Sequence, residues 1–281
     1  MTTRIPREAA EAADPQALAD VLLAAQDKAQ LLASLAAWHP GLDLPAAYAV
    51  ARAVHARKLA RGATAVGRKI GFTNADMWAR YGVHQPIWGP VYGHSVVHCL
   101  SGQAVCSLGA FTQPKIEPEI VLRLHSAPAP GATLHEVLAC IDRVAHGFEI
   151  VQSPFPNWQF DAVDAVCAGS LHAALFIGPP RSVADLSDAP LASLQDFDIT
   201  LFCDGQAIDQ GGGHKVMGNP VAALAHLVSL LAKQPLSPPL LAGEWITTGT
   251  LTAAHPVRAG QTWHTLLQGI DLPALQMRFI D

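Results

Sequence analysis

Apolar positions recur every three to four residues across "PQALADVLLAAQDKAQLLASLAAW" (15–38), a spacing that predicts one helix, opened by Asp14 and Pro15. "LPAAYAVARAVHARKLARG" (44–62) repeats the pattern, ends in a basic turn and closes at Gly62. From residue 66 the rhythm changes to short β-prone pieces cut by Gly and Pro: "AVGRKIGF", "GPVYGHSVVHCL", "IEPEIVLRL", "HGFEIVQS", "HAALFIG", "FDITLFCDG", "EWITTGTLT" and "WHTLLQGI". Two further helices are predicted among them, "TLHEVLACID" (133–142) and "NPVAALAHLVSLLAKQ" (219–234), the latter with Asn219 as cap and Pro220 in its first turn. Strands dominate without regular β-α alternation, which argues against a doubly wound parallel sheet. The expected class is α+β, with a helical N-terminal layer over residues 1–64 and a large mixed sheet over 65–281, as two units or one continuous domain.

Bulk properties narrow the classes of partner. The 281 residues are 50% hydrophobic and 15% charged, a balance that argues against disorder. A net charge of −5 with no Lys/Arg run argues against nucleic acid and anionic membrane. The polar N-terminus lacks the apolar core of a signal peptide, and "VAALAHLVSLLA" (221–232) is short for a bilayer and contains His226. Five cysteines, at 99, 106, 140, 167 and 203, form no C-x-x-C pair and read as reduced thiols of a cytosolic protein. "DQGGGHKVMGNP" (209–220) lacks the G-K-[ST] ending of a phosphate loop and reads as a flexible loop near a site. Trp78, Trp88 and Trp158 read as core or subunit contacts, and no G-x-S-x-G elbow points to a nucleophilic serine.

The segment "QPKIEPEIVL" (113–122) puts Glu117 and Glu119 on one face of a strand, about 6–7 Å apart along it. Carboxylates so close repel each other unless a cation or a shared proton intervenes, and a hard divalent ion with oxygen ligands answers that need. An exposed edge strand whose glutamates face water has the same spacing. Glu149 lies in a second apolar strand, "HGFEIVQS", where its charge needs either the same ion or a salt bridge to Arg143 or Arg123. Lys69 in "VGRKIGFT" can reach into a cavity as a cation or proton carrier, or stand solvated on the surface; Arg68 points the opposite way.

Six segments in order carry a family resemblance from about residue 44 to the end: "VGRKIGFT", "YGVHQPIWGPVY", "QPKIEPEIVL", "FEIVQS" with "NWQFDAVDAV", "MGNPVAALAHL" and "LAGEWITTGTLTAAHPVRAGQTW". The chain resembles the hydratase/decarboxylase branch of the fumarylacetoacetate hydrolase superfamily. That resemblance implies a large mixed β-roll and a Mg²⁺ or Mn²⁺ ion held by Glu117, Glu119 and Glu149, with Lys69 beside a bound 2-oxo acid. It implies a lyase of aromatic catabolism, hydrating a 2-hydroxy-2,4-dienoate, with decarboxylation of a 2-oxo-3-enedioate or C–C hydrolysis as alternatives. The "TTGT" segment (247–250) would line the substrate site, with Thr250 as the contact. Family members form homo-oligomers, and these hydratases and decarboxylases associate with each other, so a non-catalytic partner subunit is a rival reading. Departures from the family pattern fall on His84 in "GVHQP", where an aspartate is usual, and on "AGSL" (168–171) followed by His172. His146 likewise stands where an apolar residue is usual. Histidine titrates near neutrality, so His84 and His146 are catalytic candidates as well as ordinary hydrogen-bonded residues.

Overall fold

The computed structural model describes residues 14–75, 78 and 85–281. Its first layer is helical: α1 (Pro15–Asp27), α2 (Leu35–Trp38) and α3 (Leu44–Ala60). The Gln16 amide donates to Asp14 at 2.9 Å and the Ala46 amide to Asp43 at 2.9 Å, so an acidic cap with a following proline starts both long helices. The continuous helix expected over 15–38 is interrupted. Ala29 turns the chain at φ +47, and the Leu32 amide leaves to donate to the Pro154 carbonyl at 2.7 Å. Asp164, fully buried, then accepts from the Leu35 amide at 2.7 Å, the Ala36 amide at 3.1 Å and the Ser34 hydroxyl at 2.7 Å. A capping carboxylate 129 residues away restarts the helix, a partner that no local pattern announces.

In chain order the strands are β1 (Ala65–Gly71), β2 (Ile87–Tyr92), β3 (Val96–His98), β4 (Gln103–Ser107), β5 (Lys115–Leu124), β6 (Ile141–Val151), β7 (His172–Ile177), β8 (Arg181–Ser182), β9 (Asp198–Cys203), β10 (Gln206–Gly212), β11 (Trp245–Thr250), β12 (His255–Pro256), β13 (Thr262–Gln268) and β14 (Gln276–Ile280). The larger sheet runs β2-β1-β11-β5-β6-β7-β3, with β12 on β5 and β8 on β6; the smaller runs β10-β9-β13-β14-β4. Parallel pairs β1/β11, β3/β7 and β4/β14 sit among antiparallel ones, so both sheets are mixed, as the α+β expectation required. The remaining α-helices among the described elements are α4 (Leu134–Ala139), α5 (Ala162–Cys167), α6 (Pro190–Asp196) and α7 (Pro220–Ala232). The Thr133/Glu136 capping box opens α4, and Asn219 caps α7 through the Val221 amide at 2.9 Å. Neither α5 nor α6 was anticipated from periodicity, each being too short to show it.

The expected loop over 209–220 is largely ordered structure: its first residues belong to β10, and a 3₁₀ turn (Gly213–Lys215) follows. Its glycines serve close packing. A Cβ on Gly211 would stand 1.7 Å from the Leu251 carbonyl oxygen, and one on Gly213 1.8 Å from that of Leu194. The stretch Gly213–Ala232 has a mean hydropathy of 1.3 and the length of a membrane span. Its Val221, Leu224, Leu227 and Leu231 are buried in the core, which accounts for that apolarity.

One core cluster joins the N-terminal helices to the larger sheet and α7, through Leu23, Val50, Ile70, Ile120 and Leu224. A second lies between the sheets, with Ile116, Phe148 and Ile150 meeting Leu201, Trp263 and Phe279. These two clusters clamp β5 and β6 and leave one patch of their shared surface to polar groups.

Candidate metal centre and catalytic cavity

Register builds the site. Strands β5 and β6 pair antiparallel with Glu117 opposite Glu149 and Glu119 opposite Gly147, and directly paired residues share a face. The third carboxylate therefore joins the first two, and carboxylate oxygens of Glu117, Glu119 and Glu149 lie within 4.8 Å of one another. Gly147 has to be bare, since a Cβ there would come 2.8 Å from Val121 Cγ2 and 2.9 Å from the Phe176 carbonyl oxygen. Lys69 on β1 is 3% exposed, and its Nζ reaches across β11 and β5 to Glu149 Oε1 at 2.9 Å. Arg68 points the other way, to Glu244 at 3.3 Å. Arg123, at the far end of β5, pairs with Asp142 at 3.1 Å and in register with Arg143. Neither arginine forms an ion pair with Glu149 among the described residues.

Backbone geometry completes the cradle. The Gly249 amide donates to Glu119 Oε2 at 2.9 Å from a residue at φ +105, where a Cβ would sit 1.9 Å from Thr73 Oγ1. Only glycine satisfies both conditions. Thr250 follows, paired with Glu119 across the strands and lining the same cavity. The cavity measures about 150 Å³; Lys69, Glu117 and Glu119 line it together with the apolar Phe72, Ile87, Trp158, Phe160 and Leu171. Trp158, read from sequence as a core or subunit contact, is therefore part of the cavity wall, with Lys115 Nζ over its ring at 3.9 Å.

Three carboxylates and one ammonium cannot all keep ordinary protonation. Burial drives Glu119 well above the usual carboxylate range, reinforced by Glu149 and Glu117. Burial likewise pushes Glu117 up to about 7 against the pull of Lys69. For Glu149, burial is outweighed by Lys69 and His172, which hold it down at about 2. Lys69 stays charged because the three carboxylates overcome its desolvation. One oxygen of Glu149, Oε2, is buried with no hydrogen-bond partner among the described residues. Oxygen donors of this number, with an orphaned buried oxygen among them, fit a hard divalent cation.

His172, noted in the sequence beside the altered 168–171 segment but given no role there, belongs to the site. Its Nδ1 lies 2.8 Å from Glu149 Oε1 and its Nε2 2.8 Å from Ser95 Oγ, so it orients the carboxylate that Lys69 also holds. Its signals in the sequence were its place after the altered "AGSL" segment and directly before an apolar strand. His146 is not brought to the cavity. It alternates with Glu149 along β6, so it faces the smaller sheet. Its Nδ1 is 3.1 Å from the Glu119 carbonyl oxygen and its Nε2 2.9 Å from Thr265 Oγ1. Fully buried, it is driven down to about 4 and stays neutral. His84 lies outside the described residues.

Comparison with known proteins adds to this geometry. The chain is 33% identical over 246 residues to 4-oxalocrotonate decarboxylase of Pseudomonas sp. (strain CF600), covering 86% of this chain and 88% of that one. It is 30% identical over 256 residues to 2-keto-4-pentenoate hydratase of Paraburkholderia phymatum, covering 91% and 94%. Its structure superposes on 4-oxalocrotonate decarboxylase from Pseudomonas putida G7, a complex with magnesium and adipate, with a TM-score of 0.86 and 29% identity over 95% of this chain and 97% of that one. Fumarylpyruvate hydrolase from Pseudomonas aeruginosa shares the fold, with a TM-score of 0.58 at 15% identity over 76% and 88%. No protein-family profile matches the chain.

Proposed function

Because the chain belongs to the hydratase/decarboxylase branch of the fumarylacetoacetate hydrolase superfamily, we propose that it is a divalent-metal-dependent lyase hydrating a short 2-hydroxy-2,4-dienoate. The observation that carries this reading is the meeting of Glu117, Glu119 and Glu149 within 4.8 Å, the first two lining a cavity whose wall is otherwise largely apolar. In this reading the three glutamates hold Mg²⁺ or Mn²⁺. The bound ion supplies Lewis-acid polarisation of the substrate's carboxylate and 2-oxo oxygens. Lys69 enters as an ammonium, balancing charge that develops at the 2-oxo end and fixing Glu149 in place. Thr250 offers a hydroxyl to the same end, and His172 fixes the rotamer of Glu149. The apolar wall seats the diene and keeps bulk water from it. His84 is retained as a proton carrier on the sequence argument alone. His146 is assigned the structural role of tying β6 to Thr265.

Hydration is placed first because Lys69 is the only cation lining the cavity among the described residues, and Glu149 already engages it. A substrate with a second carboxylate would need another. Decarboxylation of a 2-oxo-3-enedioate is the second reading, favoured by the 33% identity to a decarboxylase and by a neighbouring structure that holds a six-carbon diacid. Five unpaired cysteines support a reducing, cytosolic setting. We also expect a homo-oligomer, with association to a related hydratase or decarboxylase as an extension. The test is incubation of the purified protein and Mg²⁺ with freshly generated 2-hydroxypenta-2,4-dienoate, which should bleach the dienol absorbance. Consumption of 2-oxohex-3-enedioate with CO₂ release, the dienol left untouched, would replace hydration by decarboxylation.

A further inference from the structure

A second and larger cavity, of about 250 Å³, lies between the N-terminal helices and the β1–β2 side of the larger sheet. Its charges are one-sided. Arg52, Lys58 and Arg68 line it against a single carboxylate, Glu244, and Arg68 already pairs with that group at 3.3 Å. Neither Arg52 nor Lys58 has a carboxylate oxygen within 4 Å among the described residues. Lys58 Nζ lies 4.9 Å from the Tyr92 ring centroid, and the Tyr92 hydroxyl is 2.9 Å from His55 Nδ1, so one end of the cavity carries Lys58, Tyr92 and His55 together. Burial pushes Lys58 down to about 8, opposed by the more distant Asp27 carboxylate and helped by Arg61, so no close ion pair offsets the desolvation of its ammonium. The remaining wall is apolar, including Leu22, Tyr48, Val54, Trp88, Pro90 and Val166.

This cavity is separated from the carboxylate cluster by a thin partition. A Cβ on Gly89 would stand 2.7 Å from the Gly169 carbonyl oxygen, so β2 and the turn at 169–171 meet backbone to backbone. Gly169 lines the second cavity, while Ser170 and Leu171 line the first. His172 crosses the partition: it lines the second cavity and also lies 2.8 Å from Glu149 Oε1.

We propose that the second cavity is a binding site for a small organic monoanion, a carboxylate on a ring- or chain-sized apolar body, and that its occupancy is transmitted to the carboxylate cluster through His172. The anion supplies the counter-charge that Lys58 and Arg52 lack, and the apolar body fills the wall beneath α3. This site is distinct from the one assigned to the lyase reaction and does not depend on which reaction is catalysed.

The probe is 2-naphthoate, titrated into the Mg²⁺-loaded protein with oxalate saturating the first cavity, and followed by calorimetry and by quenching of Trp88 in the wall. One site per chain is expected, weakened at least tenfold by Lys58→Met or Arg52→Gln and abolished by Ala51→Trp, which fills the cavity. Circular dichroism identifies any variant that fails to fold, and the remaining variants then decide. Displacement of the probe by oxalate, indifference of binding to the folded variants, or no binding at millimolar probe would overturn the site. Transmission is read from the His172 imidazole resonances, assigned with His172→Gln. They should shift on probe addition in the wild type and not in Ala51→Trp; resonances that stay fixed while the probe binds overturn the link.

Discussion

Replacing Glu119 by Gln separates the metal-free protein from the metal-bound one more sharply than any other change in the site. Glu119 is 1% exposed and burial, with Glu149 and Glu117, holds its carboxyl well above the usual range, so without metal the neutral form is favoured more than in an ordinary carboxylate. An amide is then a near-isosteric neutral replacement, and its carbonyl can still accept from the Gly249 amide. Metal-free stability should change by less than about 1 kcal/mol, the scale of one neutral hydrogen bond. With metal bound, the lost charge matters. A unit charge pair about 4 Å apart at an effective dielectric of about 20 is worth about 4 kcal/mol, which sets a ceiling, and the retained amide oxygen brings the loss to about 3 kcal/mol, roughly a hundredfold in Kd. At a metal concentration a hundred times the wild-type Kd, binding adds about 2.7 kcal/mol to wild-type stability, and the same concentration adds only about 0.4 kcal/mol to the variant. Thermal unfolding with and without Mn²⁺ should therefore show a metal-induced rise of about 5–10 °C in the wild type, collapsing to about 1 °C in the variant. The two metal-free midpoints should nearly coincide. An undiminished metal shift would remove Glu119 from the ligand set, and a metal-free midpoint that falls steeply would mean that the carboxylate is charged before metal arrives.

Three further outcomes follow from the same geometry. Folded-state pKa values of Glu117, at about 7, and of Glu119 lie above the ordinary 4.5, so between those limits the metal-free fold binds more protons than the unfolded chain and stability falls as pH rises. Glu149, held near 2, contributes the opposite sign, a stability lost as pH falls from 4.5 towards 2. Denaturant midpoints from pH 4.5 to 7.5 on chelator-treated protein test this, and metal binding should release protons over the same range. Lys69→Ala should leave metal bound while turnover falls by about 10²–10⁴; unchanged rates would take Lys69 out of the mechanism. Asp164→Ala removes the acceptor of three amides, those of Leu35, Ala36 and Asp161, and of one hydroxyl, and should cost about 2–4 kcal/mol in urea unfolding, with the Mn²⁺ affinity of the folded protein unchanged.

What could be read without coordinates was whatever rests on short-range chemistry. The Asp14 and Asn219 caps mark their helices because the capping bond spans two residues. Glu117 and Glu119 share a face because a strand alternates with a period of two, and that much follows from spacing alone. The partner of Asp164 could not be read, because the groups it caps lie 129 residues away. Neither could the ordered path of 206–213, whose glycines answer to carbonyl oxygens on other segments.

At the site the division falls between residue type and register. Acidic residues in apolar strands and a lysine in "VGRKIGFT" marked the chemistry, since a charge beside a core needs a partner whatever the fold. Only the pairing of β5 with β6 decided that Glu149 stands beside Glu117 and that His146, three residues earlier, faces away. A shift of one residue would have exchanged those two outcomes, because each step along a strand reverses the side chain. Burial of Lys69 against Glu149, and the second cavity behind His172, likewise exist only where separate elements pack, so the amino-acid order determined which groups were available and the tertiary contacts decided which of them meet.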